Sequence, residues 1–279
     1  MPSTAELARD LRHALDPVAF ARDRLGFEAD DWQTGLLRSS ARWVLVNCSR
    51  QAGKSTTAGV LALHVALHKP GALILLVAPS LRQASELFRK FAAMRGRLDP
   101  APALSEDNAF SCTFAGTGSR VLSLPGSEAT VRGFSAPTLI VEDEAARVPD
   151  DLYRAVRPML ATAPTGRLIL MSTHAGQVGH FWNEWSEGGP DWHRVMVPAD
   201  QVPRIDPAFL AAERRALGDA WYRQEYMTEF LQATNQVFRP EDVARMVSVE
   251  IEPLFPTAPV AGDPLPLFPR GVPIPPRSP

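Results

Sequence analysis

Four uninterrupted apolar runs, at residues 43–46, 73–78, 139–141 and 168–171, punctuate the first two-thirds of the chain. Each is too short for a helix and is bounded by turn-forming or charged residues. Each therefore predicts a strand buried on both faces, the condition of a parallel sheet lying between two helical layers. Between these runs the apolar spacing shifts to the helical period, and helices are predicted over 54–67, 80–94 and 150–160. The resulting β-α-β alternation is that of a doubly wound α/β fold with a mostly parallel central sheet flanked by helices. Residues 110–114 and 120–124 flank Gly116 and Gly118 and predict a hairpin. Farther on, 206–217 and 219–231 are amphipathic with Gly218 as the break, predicting two helices packed on the sheet as a linker or subdomain. No internal repeat of useful length occurs, which removes solenoids and propellers.

Composition alters this picture near the end, where ten of the 29 residues in 251–279 are proline and neither helical nor strand periodicity survives. That segment predicts an extended, disordered tail. Over 279 residues, 45% are apolar and 22% charged, ample for a core. The 29 basic and 31 acidic residues nearly cancel, so overall charge does not point to nucleic acid. Locally it is uneven: residues 42–97 hold nine Lys or Arg and one acid, Glu86. Within it Arg82, Arg89, Lys90, Arg95 and Arg97 could follow a DNA backbone or form a solvated helix face. Two cysteines, Cys48 and Cys112, make no disulfide framework. With no signal-peptide core and no apolar run near 18 residues, the expectation is a soluble protein of a reducing cytoplasm, with no membrane partner.

The chemistry concentrates after the first apolar run, in Cys48-Ser49-Arg50-Gln51-Ala52-Gly53-Lys54-Ser55-Thr56, which opens the first predicted helix. A phosphate-binding loop needs inward backbone N–H groups, a helix N-terminus, a lysine for the β/γ oxygens and a hydroxyl for Mg²⁺. Gly53, Lys54 and Ser55 supply the final three positions, while Cys48 stands where the usual pattern has glycine. The second motif, Leu139-Ile140-Val141-Glu142-Asp143-Glu144, is an apolar strand ending in acids. One carboxylate there can hold the Mg²⁺ shell opposite Ser55 and the next can orient and deprotonate the attacking water. Asp143 and Glu144 are assigned those roles, and three consecutive acids leave the register open by one, with Glu142 the second candidate. A third strand ends in Ser172-Thr173-His174, where hydroxyls can sense the γ-phosphate or simply cap a turn. The six histidines lack zinc-ligand spacing. Gln33 could read an adenine edge through its amide or serve in packing. Arg50 could stabilise γ-phosphate charge in cis or pair with an acid.

Taken together, Val46 to Thr56, Val131-Arg132-Gly133-Phe134-Ser135, Val141 to Ala146, and Ser172-Thr173-His174-Ala175-Gly176 with Phe181-Trp182 resemble the ATPase domain of the large terminase subunit of tailed phages. Trp221-Tyr222-Arg223-Gln224-Glu225-Tyr226-Met227-Thr228-Glu229-Phe230 looks like the segment that ends that domain, so the resemblance covers about residues 31–238. It implies a P-loop NTPase fold and an ATP- and Mg²⁺-dependent motor that drives double-stranded DNA into a procapsid. It implies work as a homo-oligomeric ring on a portal protein with a small terminase subunit, in the bacterial cytoplasm, encoded by a phage or prophage. By the same resemblance Gln33 contacts adenine, residues 49–56 (Ser49, Arg50, Gln51, Ala52, Gly53, Lys54, Ser55 and Thr56) hold the nucleotide, and Arg50 is the cis arginine. Ser55 and Asp143 hold the metal, Glu144 and Lys54 act in catalysis, and Ser172 and Thr173 couple hydrolysis to motion. Relatives often carry proline at the position of His174. The expected organisation is an N-terminal helical, adenine-side lid (1–40), an ATPase core (41–205), a helical linker (206–248) and the proline-rich tail (249–279). After Pro240 only Glu241, Asp242, Glu250, Glu252 and Asp263 remain as acids. The family's nuclease is therefore expected from a separate polypeptide or to be absent. The competing expectations are another P-loop DNA motor, such as a helicase, and an idle remnant that binds nucleotide or capsid partners.

Overall fold

In the computed structural model, residues 3–126, 131, 133–173 and 175–231 are described. Arg132, His174, the linker beyond Leu231 and the proline-rich tail fall outside these residues.

Each of the four apolar runs is a strand: β1 (Trp43–Cys48), β2 (Leu73–Ala78), β6 (Leu139–Asp143) and β7 (Arg167–Ser172). Alternate side chains enter opposite layers, as the two-residue strand period requires. Val44, Val46, Ile74, Leu76 and Val141 join one core, and Leu45, Leu75, Val77 and Ile140 the other. Helix α4 (Lys54–His68) and α5 (Leu81–Arg95) close the first core, together with α2 (Pro17–Leu25) and α3 (Asp31–Arg38). The second core is closed by α6 (Asp150–Val156) and α7 (Gly179–Ser186). The N-terminal α1 (Thr4–Leu15) begins at a Ser3–Glu6 capping box.

The eight strands run in the order β3-β4-β5-β2-β6-β7-β1-β8, where β3 is Leu104–Asp107, β4 Ser111–Phe114, β5 Arg120–Pro125 and β8 Trp192–Val197. From β5 to β8 all pairings are parallel, and the predicted hairpin is the antiparallel β4–β5 pair. The edge strands β3 and β8 escape the apolar-run criterion. β3 reads Leu-Ser-Glu-Asp and is largely exposed, and β8 buries only its terminal Trp192 and Val197. A strand with one free edge and a wet face carries too few apolar positions to announce itself.

Two predicted helices are shorter than their patterns. The 150–160 segment is α-helical only to Val156 and continues as a 3-10 turn over Arg157–Leu160, where Pro158 has no N–H to give. The last pair is α8 (Pro207–Leu217) and α9 (Asp219–Glu225), and α9 stops six residues before the expected Leu231. Thr228 adopts φ 58°, a left-handed conformation that a helix cannot continue through, and its carbonyl accepts a bond from Asn47 on β1 instead. Among the described residues no helix is long and apolar enough to cross a membrane.

Candidate functional site

The carboxyl ends of the parallel strands meet at one side of the sheet, the place where open α/β folds bind ligands. There β1 gives way to residues 49–53, and α4 starts at Lys54. Gly53 has φ 94°, and a Cβ on it would sit 2.8 Å from Gln33 Nε2 and 2.9 Å from Arg204 Nη2, so only glycine fits. Gln51 is also left-handed, at φ 60°. This wound backbone leaves the first N–H groups of α4 without helical partners, and they form a ready site for anions.

Within the loop Lys54 is nearly buried, and its ammonium donates to Thr173 Oγ1 (3.1 Å) and Ser49 O (3.4 Å). Ser55 donates to Asp143 Oδ2 at 2.7 Å, which ties the start of α4 to the end of β6. Glu144 follows with φ 55°, an uncommon conformation for a non-glycine residue, which turns the chain off the strand. Its carboxylate lies 3.9 Å from the Lys54 ammonium and 2.8 Å from Arg147. Glu142 has a different setting. Its side chain is fully buried and bonds His180 Nε2 at 2.6 Å, while His180 Nδ1 meets Asp150 at 3.1 Å. Burial opposes charge on His180, but Glu142 and Asp150 outweigh it and raise its pKa.

The strand between the loop and the acidic turn supplies Ser172 and Thr173. Thr173 Oγ1 donates to Cys48 O (3.0 Å) while accepting from Lys54, and Ser172 Oγ accepts from Ala146 N (3.2 Å) just past the acids. These two hydroxyls therefore touch both motifs at once. Cys48 itself is fully buried, and burial pushes its thiol up to about 12, so it serves packing.

For Gln33 and Arg50 the sequence left two roles open, and in this structure each is engaged with other protein groups. Gln33 is buried: its Oε1 accepts from Asp30 N (2.9 Å) and its Nε2 donates to Ala52 O (3.4 Å). Its amide braces the loop from behind, and no free edge is turned to the cleft. Arg50 is more than half exposed, and its Nε bonds Glu225 Oε2 at 2.5 Å while its backbone N–H reaches Glu225 O. Glu225, on α9, is almost wholly buried and also meets Arg147 at 3.7 Å.

Arg147, Arg204 and Glu225 were not among the residues singled out from sequence. Arg147 stands three residues after Glu144, a spacing that could have suggested a pair. Arg204 bonds Asp30 and the Ala52 carbonyl across a separation of about 150 residues or more, and no local pattern signals it. Three arginines of the basic stretch have protein partners. Arg89 binds Glu86, Arg95 binds Asp107, and Arg97 donates to Leu25 O.

The loop opens on a cleft of about 990 Å³. Arg50, Lys54, Ser55, Thr56 and Glu144 line one side, and Arg204, Ile205, Phe209 and Tyr226 another. Among the described residues no cluster of three or more His, Cys, Asp or Glu side chains is arranged to hold a metal by itself. Mg²⁺ in phosphoryl-transfer sites typically takes one or two protein groups, with phosphates and water completing its shell. The Ser55–Asp143 contact provides two such groups.

A phosphate-loop pattern after β1, acids at the end of β6, and the extra strand β7 between them define a P-loop NTPase fold of the additional-strand class. Within that class the chain is similar to phage large terminases. It is 26% identical over 261 residues to the terminase large subunit of Thermus virus P23-45, a match covering 81% of this chain and 53% of that protein. The large terminase ATPase domain of Thermus phage P74-26 superposes with a TM-score of 0.68 at 22% identity, covering 78% of this chain and all of that one. The large terminase of the thermophilic bacteriophage D6E, solved with ADP, superposes at 0.60 and 12% identity, covering 73% of this chain and 54% of that one. The chain spans about half the length of the curated relatives it matches. No family model matches it.

Proposed function

We propose that this chain is the ATP-hydrolysing motor module of a phage terminase large subunit, acting in the host cytoplasm to drive double-stranded DNA into a procapsid. The observation that carries the reading is the 2.7 Å contact of Ser55 with Asp143, with Lys54 and Glu144 beside it, on a terminase-type fold. In this reading the 49–56 backbone and Lys54 hold the β- and γ-phosphates, and Ser55 and Asp143 hold Mg²⁺. The metal, when bound, neutralises charge on the phosphates. Glu144 orients a water for in-line attack on the γ-phosphorus and accepts its proton, the P–O bond to the leaving diphosphate breaks, and ADP and phosphate are released.

Arg50 must exchange Glu225 for phosphate before it can stabilise the transferring group. Ser172 and Thr173, bonded to both motifs, relay that change to the turn after β6. Duplex DNA is held by its backbone without base readout. The further partners are a portal protein, a small terminase subunit and copies of the chain in a ring, with DNA cleavage supplied by a nuclease domain.

The test is steady-state ATP hydrolysis with and without double-stranded DNA, beside the Glu144→Gln variant. Glu144→Gln is expected to bind nucleotide normally and to lose about a hundredfold or more in kcat. Undiminished turnover in that variant would remove Glu144 from the chemistry.

A further inference from the structure

An amide at Gln33 would read an adenine by its edge, yet that amide is buried and committed to Asp30 and Ala52. As it stands in this structure that amide presents no exposed edge to a base, which directs attention to the other groups lining the cleft. Two other amides line the cleft: Gln51 belongs to the phosphate loop itself, and Gln83 accepts a bond from the Ser80 hydroxyl, whereas the wall formed by residues 204–209 holds none. There Arg204 holds Asp30 and Ala52 O, and Asp206 Oδ1 accepts the Ala208 N–H that starts α8.

What this wall offers is a ring. Phe209 lines the cleft with 48% of its surface exposed. It is not loose. Its ring stands edge-on to Tyr226 at 6.1 Å, and Tyr226 is itself buried, with its hydroxyl bonded to Glu213 one turn farther along α8. Ile205 adds an apolar patch beside it. A half-exposed aromatic ring, supported by a second ring and next to a phosphate site, suits the flat face of a nucleobase.

We propose that Phe209 is the platform on which the base of the bound nucleoside triphosphate stacks, so that the site holds purines by face with little discrimination between adenine and guanine. The inference rests on the reading of residues 49–56 as a triphosphate site. Every base has a π-face, so stacking tolerates changes at the base edge, and the larger purine ring gains more than a pyrimidine.

The experiment is calorimetric binding, in Mg²⁺, of the non-hydrolysable imido analogues of ATP, GTP and CTP, and of inorganic tripolyphosphate, to the full chain. Wild type, Phe209→Ala and Phe209→Trp are compared, with thermal unfolding as the check that each is folded. Expected are adenine and guanine affinities within about tenfold of each other, with cytosine weaker. Phe209→Ala should lose about tenfold for both purines, tripolyphosphate should be unchanged, and Phe209→Trp should restore purine binding. Unaltered purine affinity in Phe209→Ala overturns the platform. Preference for adenine over guanine beyond about a hundredfold overturns recognition by face, because such selectivity needs paired polar groups at the edge. Failure of wild type to bind tripolyphosphate and nucleotide alike overturns the triphosphate site itself, and the platform with it.

Discussion

At the scale of single residues, the three consecutive acids show how one strand gives neighbouring carboxylates different work. Glu142 and Asp143 point to opposite faces of β6 because strand side chains alternate, and Glu144 leaves the strand through a left-handed turn. Glu142 is therefore enclosed with His180, and Asp143 and Glu144 face the loop. Removing one partner of a buried pair leaves an uncompensated charge, so Glu142→Ala is expected to lower unfolding free energy by about 3 kcal/mol or more in urea titration. Glu144→Gln, which is partly exposed, should leave the urea midpoint close to wild type while kcat collapses. A Glu142 variant that stays as stable as wild type would contradict the enclosed pair.

At the scale of elements, the sheet centre was legible because four strands buried on both faces must be written as apolar runs, as β1 and β2 are. The edges were not, since β8 reads Trp-His-Arg-Val-Met-Val and needs only its two ends buried. The phosphate loop was legible because Gly53, Lys54 and Ser55 are contiguous. Arg204 and Glu225 were not, because they reach the loop only through folding. The 206–217 helix was expected, but no periodicity tells that Phe209 faces a cleft.

Helix α4 also carries a pH-sensitive contact. His64 Nε2 donates to His13 O at 2.9 Å, its ring lies against His68, and burial lowers its pKa to about 4 from 6.5. The unfolded chain then binds a proton more readily than the folded one, so this contribution to stability is present above about pH 6.5 and is lost as pH falls toward about 4. His68 is lowered in the same direction by burial. Replacing His64 with Asn should flatten the fall of Tm across that window, and an unchanged slope in thermal scans would assign the acid sensitivity to other groups.

At the scale of the molecule, the segment after α8 is fastened to the nucleotide loop through Arg50 and to the strand ends beside it at two further points. Arg50 holds Glu225 by side chain and backbone, Asn47 holds Thr228 O, and Ala199 N bonds Tyr226 O. Displacement of Arg50 by a phosphate would release one of these ties, so nucleotide should change amide exchange along residues 222–230, beyond the loop that holds the phosphates. Hydrogen exchange by mass spectrometry with and without ATP-γ-S should show that change in wild type. In Glu225→Gln the difference should shrink, because the ionic tie is already weakened in the free protein. Equal responses in both proteins would mean that the segment does not sense the loop through Glu225.

The strand order carries a consequence in time. β1 is made early, yet its two neighbours are β7 and β8, more than a hundred residues later. During synthesis Val44, Leu45 and Val46 wait with both backbone edges unpaired until β7 has been made, and with one edge unpaired until the ribosome has passed Val197. Closing so long a span is entropically slow, and apolar strands in waiting are prone to self-association. A chain halted near residue 165 should therefore collect as aggregate in a release assay, whereas one halted past residue 231 should remain in solution. The nucleotide loop, among the first features encoded, is among the last to acquire its shape.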